Sequence, residues 1–222
     1  MLFLYHNDAG APSLSLDGDA HRYLFKVRRH KAGETVALRN LRDGMRYIYR
    51  IENIDRKRAL LVLEASEHDE RRVGKTLHLG WCVIDPKSIE KTLPTLNELG
   101  VARITFIYCE RSQKNFKIDF TRLEKILINS CQQCGRTDLM RLETCASMET
   151  FVRTHPDARL LDFSSRVLDD DNDIGVLVIG CEGGITPDER NLFAEEYIVG
   201  FDTPLVLRSE SAACAAAAKV LI

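Results

Sequence analysis

Two short stretches hold the residues whose types and spacing could do chemistry. Ile179-Gly180-Cys181-Glu182-Gly183-Gly184 ends an apolar run that begins at Val176. Leu205-Val206-Leu207-Arg208-Ser209-Glu210-Ser211 leads into an alanine-rich segment. Glycines at the end of a strand let the backbone turn with positive φ and let a ligand approach the main chain closely. This is not a phosphate cradle, because it has neither the lysine of a P-loop nor the Gly-x-Gly-x-x-Gly spacing of a dinucleotide site. It suits a small organic ligand held by backbone groups and apolar side chains. Arg208 is the cation of the two stretches and could stabilise developing negative charge. Its alternative is a structural ion pair with Glu210 or Glu182. Glu210 could orient Arg208, or favour the start of the following helix.

The elements around these stretches follow from their patterns. Val176 to Ile179 has strong β character and no alternation, as in a parallel strand buried on both faces. Thr186 suits an N-cap, Pro187 the first helical position, and Glu189 completes a capping box. From Leu77 onward, strands and helices alternate. Strands are expected at Leu77 to Ile84, Arg103 to Cys109, Leu139 to Glu143, Leu160 to Phe163, Val176 to Ile179 and Leu205 to Leu207. Helices are expected at Ser88 to Leu99, Phe120 to Gln132, Met148 to Arg153, Pro187 to Glu195 and from Ser211 onward. Such alternation implies a mostly parallel sheet covered by helices. Pro94 should kink or split its helix. A Gly-rich loop between a buried strand and a capped helix is where open α/β sheets bind ligands.

The two stretches together resemble the RsmE family, whose patterns lie near "IGPEGG" and "LRxETA". Cys181 stands for the proline and Ser211 for the threonine. Glu98-Leu99-Gly100-Val101 and Glu110-Arg111-Ser112 are similar to further family motifs. Leu2, Thr95 and Gln132 depart from the family's polar residues at those places. The resemblance implies S-adenosylmethionine-dependent methylation of N3 of a uridine in 16S ribosomal RNA of the small subunit. It implies a small N-terminal PUA-like β-barrel over 1–72 and a SPOUT α/β domain with a trefoil knot over 73–222. Residues 179, 180, 182, 183 and 184 would then line the cofactor, with Leu205, Leu207 and Ser209 opposite. Arg208 and Glu210 would be catalytic. The transfer needs no metal, only donor and acceptor held in line.

The N-terminal region reads as short strands, Leu2 to Tyr5, Thr35 to Leu38, Arg46 to Ile51 and Ala59 to Leu63, with one helix from Ala20 to Arg29. Residues 22–58 hold 12 basic and 4 acidic side chains, although the whole chain has net charge -2. That is a local footprint for phosphates. Arg22, Lys26 and Arg29 on the helix are the expected RNA contacts, and the resemblance adds Arg111 and Arg136. The alternative is a solvated face. His21 and His30 read as surface residues. Glu67 to Lys75 reads as the connection between domains.

No apolar run approaches the roughly 18 residues that span a bilayer. Seven scattered cysteines without a secretion signal point to reduced thiols and the cytoplasm. Cys131-x-x-Cys134 would end a helix, unlike a redox motif, and lacks further zinc ligands. The small-residue run Ala212 to Ala218 with Val220-Leu221-Ile222 reads as a buried helix, and the resemblance places it at a homodimer interface. Other readings are an RNA-binding protein without catalysis, a methyltransferase of another RNA, or a small-molecule enzyme using another nucleotide.

Overall fold

The computed structural model describes residues 2–71, 73–168 and 174–222. The chain divides into two compact units, Met1–Arg72 with Ile128–Leu139, and Val73–Leu127 with Met140–Ile222.

The first unit is built on five strands: β1 (Leu4–Tyr5), β2 (Ser13–Asp17), β3 (Thr35–Arg39), β4 (Met45–Ile54) and β5 (Arg58–His68). Their order is β1-β3-β4-β5-β2. Register shifts at Ile48/Tyr49 and Ile51/Asn53 are bulges, which bend a strand and curl its sheet. The result is a curled sheet with β1 and β2 at its edges. β2 has the period-2 burial of a half-covered strand. Neither β2, despite its serine-leucine alternation, nor Ile198–Val199 in the second unit is among the strands expected from the sequence. β5 continues to His68, into the stretch expected to be a connection. Leu16, Leu38, Tyr49, Ile51 and Leu61 form the core. A second cluster joins Phe3 and Leu41 to Cys131.

Between β2 and β3 lies α1 (Gly18–His21), continued by a π-helix over Arg22–Val27. The α-helix expected over 20–29 is therefore largely π, with Arg28 N–H donating to the Tyr23 carbonyl at 2.9 Å. Arg29 ends it at φ 61, a left-handed conformation seldom adopted by a non-glycine residue. His21 is buried, not at the surface. Its ring lies 4.8 Å from that of Phe25, and its Nε2 is 3.1 Å from the Asp55 carbonyl.

The second unit holds six parallel strands: β6 (His78–Cys82), β7 (Arg103–Ile107), β8 (Arg141–Cys145), β9 (Arg159–Leu161), β10 (Val176–Ile179) and β11 (Ile198–Val199). Their order is β11-β9-β10-β6-β7-β8. A parallel sheet in this order is consistent with the threaded path of a knotted domain. The helices are α2 (Pro86–Leu99), α3 (Phe120–Cys134), α4 (Met148–Thr154), α5 (Pro187–Arg190) and α6 (Ser209–Leu221). α3 continues into the segment that joins the first unit.

Three expectations need correction here. Leu205 to Leu207 is not a strand but an exposed stretch, because Ile198–Val199 takes the place beside β9. α2 runs unbroken through Pro94, where burial of Ile89, Leu93 and Leu96 outweighs the proline's local cost. Gly100 ends that helix at φ 96 with the Val101 N–H on the Leu96 carbonyl. Cys82 and Cys109 form a disulfide joining the C-terminal ends of β6 and β7, while the other five cysteines are free.

The opposite edge of this sheet carries a polar chain that runs from buried His78 and Thr105 to exposed Glu143. His78 Nε2 lies 2.7 Å from Thr105 Oγ1, which donates to Glu143 Oε1 at 2.7 Å. Burial, then the charges of His155 and Arg103, push the His78 imidazole down to about 4, while Glu143 pulls it up. The folded protein thus keeps His78 neutral, whereas the unfolded chain protonates it near 6.5. The neutral-state advantage is full above the unfolded value and is lost as pH falls from there toward 4. Urea unfolding should lose on the order of 3 kcal/mol from this group across that window. A His78→Gln variant should lack that component, and an identical pH profile would refute the assignment.

Candidate active site

The Gly-rich stretch leaves β10 between the C-terminal ends of β9 and β6. Its turn is closed by the Gly184 N–H on the Cys181 carbonyl at 2.9 Å, with Gly184 at φ 74. Thr186 caps α5, and its capping box with Glu189 is present on both sides. The buried Glu189 does more. Its Oε1 also accepts the Glu110 N–H at 2.9 Å, so one carboxylate ties the segment after β7 to the start of α5. Arg111 extends that tie by donating to the Gly183 carbonyl at 2.8 Å and the Ile185 carbonyl at 3.4 Å.

A cavity of about 510 Å³ opens beside this loop. Ile179, Gly180, Glu182 and Gly184 line one side, and Leu205, Leu207, Arg208 and Ser209 the other. The structure thus brings together every expected cofactor residue except Gly183. A Cβ on Gly183 would meet the Arg111 side chain at 3.2 Å, so this glycine permits close packing behind the loop and does not face the cavity. Leu161, Asp162, Phe163, Phe201 and Thr203 complete the wall. Sequence reasoning missed them, although Asp162 and Phe163 directly follow a strand whose neighbour carries the glycine loop.

The electrostatics are asymmetric. Asp162 and Glu182 bring carboxylates to the wall. Asp162 is held 3.3 Å from Arg190 Nε. That guanidinium is also forked onto Glu195 at 3.0 and 3.1 Å, and hydrogen bonding to Glu195 chiefly raises it above its ordinary value. Arg208 is exposed at the cavity wall and, among the described residues, makes no ion pair within 4.0 Å, so neither Glu210 nor Glu182 holds it. Glu210 lies in the first turn of α6, outside the cavity wall. Cys181, also at the cavity wall but buried, has its thiol pushed up by that burial, which suits packing and not nucleophilic attack. Among the described residues no three His, Cys, Asp or Glu side chains gather as a metal site.

A cavity of this size with glycine backbone, apolar walls and two carboxylates fits a nucleoside that carries a cationic sulfur and an ammonium group. Replacing Gly184 by valine puts a β-branched residue at positive φ in this wall. Affinity for S-adenosylhomocysteine should drop by about tenfold or more. Calorimetry finding wild-type affinity would take Gly184 out of the site.

The basic footprint of the first unit is narrower than its composition. Arg39 is buried and paired with Asp69. Arg46 pairs with Glu67 at 2.8 Å, and Arg50 reaches Glu64 at 2.8 Å. Arg22, Lys26 and Arg29 stay exposed and, among the described residues, without ion pairs. Arg28 lies over the Tyr23 ring at 5.8 Å. Arg136 differs: its side chain is only 9% exposed and is 3.1 Å from Asp138, so it is not placed as a surface phosphate contact.

Residues 71–221 match the family profile of an RNA methyltransferase domain, and residues 16–64 that of an RNA methyltransferase PUA domain. The chain is 42% identical over 217 residues to ribosomal RNA small subunit methyltransferase E of Helicobacter pylori, covering 96% of each. This chain belongs to the RsmE family. A Treponema pallidum protein of the same name is 28% identical over 199 residues, 81% of this chain and 74% of its own. Among solved structures, a Legionella pneumophila methyltransferase with bound S-adenosylmethionine is 26% identical, with a TM-score of 0.81 and coverage of 97% and 95%. A Neisseria gonorrhoeae RsmE structure, 20% identical over 98% of this chain and 95% of that one, has a TM-score of 0.80 and shares the fold. RsmE membership accounts for the pairing of a curled N-terminal sheet with a SPOUT-like parallel sheet. Gln132, one of the departures from the family pattern, is explained locally: it is buried, and its Oε1 accepts the Tyr5 N–H at 2.9 Å.

Proposed function

We propose that this chain transfers a methyl group from S-adenosylmethionine to N3 of a uridine in 16S ribosomal RNA. The observation that carries the reading is Arg208 at the wall of the two-loop cavity, without an ion pair among the described residues. The cofactor supplies a methyl group on a cationic sulfur. The chain supplies the rest. Gly180 and Gly184 bring backbone close to the ligand, Leu205 and Leu207 cover its apolar face, and Asp162 and Glu182 offset its positive charge. Uridine N3 carries a proton at neutral pH, and its loss spreads negative charge onto O2 and O4. The Arg208 guanidinium is suited to stabilise that charge as it develops. Arg22, Lys26, Arg29 and Arg111 are the phosphate contacts, while Glu210 is left to favour the start of α6.

α6 buries Ala213, Ala216, Ala217 and Val220 against α2 of the same chain, so its apolar character does not require a second copy. Phe163, Leu205 and Val206 do invite cover, being more than 70% exposed around one cavity. We read that rim as the homodimer face. Light scattering of a folded, active monomer would reject it. The working compartment is the cytoplasm, where ribosomal RNA is found. There the Cys82–Cys109 pair would be held as buried thiols.

The test of activity is transfer of tritiated methyl from S-adenosylmethionine to small ribosomal subunits, followed by mass mapping of the modified base. Label at uridine N3 supports the reading. Label elsewhere, or none, rejects it.

A further inference from the structure

We propose that Trp81 is a positioning residue for the cofactor cavity, acting through the hydroxyl of Ser209; the inference rests on the cavity being the S-adenosylmethionine site. Trp81 lies on β6 in register with Ile179 and is fully buried. It is not part of the cavity wall. Its indole N–H donates to Ser209 Oγ at 2.9 Å. Ser209 Oγ in turn donates to the Gly180 carbonyl at 2.5 Å. The direction of this chain is forced. An indole N–H can only donate and a carbonyl can only accept, so the serine hydroxyl must point its hydrogen at Gly180.

The two ends of that chain are the two halves of the site. Gly180 opens the glycine loop. Ser209 is the first residue of α6 and follows Arg208 directly. One hydroxyl therefore pins the glycine loop to the Arg208 segment, and Trp81 fixes which way that hydroxyl points. The indole-to-serine bond is buried, so water cannot easily replace the indole as a partner of Ser209, while Gly180 is half-buried at the cavity wall. Without the indole N–H, the serine can rotate away from Gly180, and the spacing between the loops is no longer set. The competing explanation is that Trp81 only fills the core, where its ring lies 6.3 Å from that of Phe106. Phenylalanine at 81 retains an aromatic ring and removes the donor, so it separates the two.

The experiment is calorimetric titration with S-adenosylhomocysteine of wild type, Trp81→Phe, Ser209→Ala and the double variant. Trp81 is the sole tryptophan, so its emission is recorded on ligand-free wild type and Ser209→Ala. Each single variant should bind about tenfold more weakly, as expected for one buried donor or acceptor left without its partner. The double variant should bind no more weakly than the weaker single one, because both act through one hydroxyl. Ser209→Ala should also shift the Trp81 emission. Wild-type affinity in Trp81→Phe overturns the proposal, as do losses that multiply in the double variant. Should Trp81→Phe not fold, Ser209→Ala decides alone: wild-type affinity or unaltered emission overturns it. A wild-type chain that binds no S-adenosylhomocysteine overturns the reading of the cavity itself, a different result.

Discussion

Arg208→Ala should lower the rate of methyl transfer by about 10² to 10³-fold while leaving cofactor affinity close to wild type. The magnitude is that of removing one donor aimed at charge that appears only in the transition state. The selectivity follows from position. Arg208 stands at the exposed wall of the cavity and, among the described residues, has no ion-pair partner, so its loss breaks no salt bridge there. Arg208→Lys should recover little, because an ammonium is a point charge and lacks the planar fork that can meet an oxygen beside a ring nitrogen. Single-turnover transfer to small subunits, beside calorimetry with S-adenosylhomocysteine, reads both quantities. A variant that loses affinity and rate in equal measure would make Arg208 a cofactor-binding residue.

Changing Arg22, Lys26 and Arg29 together to alanine should weaken RNA binding on the order of a hundredfold at low salt. The slope of log affinity against log salt should fall by about 2, the value for three lost contacts to single-stranded phosphates. The π-helix is what makes this a sharp test. It leaves these three side chains exposed while neighbouring Arg39, Arg46 and Arg50 are neutralised by Asp69, Glu67 and Glu64. An unchanged slope in filter-binding assays would show that the three residues only solvate the surface.

What was legible in the sequence was what local chemistry decides. The strand Val176–Ile179 and the capping box of Thr186 and Glu189 were readable because their signals lie within a few residues of each other. The π-helix was not, since its apolar spacing over 20–29 suits an α-helix nearly as well. Leu205-Val206-Leu207 misled for a related reason: three apolar residues look alike in a sheet and on the rim of a cavity. Gly183 and Gly184 are adjacent and identical in type, and only tertiary packing against Arg111 separates a spacer from a wall. His21 read as a surface residue because its buried partners, Phe25 and the Asp55 carbonyl, carry no pattern of their own. The same holds for Trp81, whose partner is 128 residues away.

That separation bears on when the protein can work. β6 meets its neighbour β10 only after roughly a hundred intervening residues, and Ser209 reaches Trp81 later still. Contacts of such range form slowly and late. A ribosome releases the chain N-terminus first, so β6 and β7 leave the exit tunnel long before α6 exists. Until residues 205–209 emerge, the glycine loop lacks the Ser209 hydroxyl and the cavity its second wall. A chain released only as far as β10 therefore has the glycine loop but not the Leu205-to-Ser209 side of the cavity, and does not yet hold a complete site for its methyl donor.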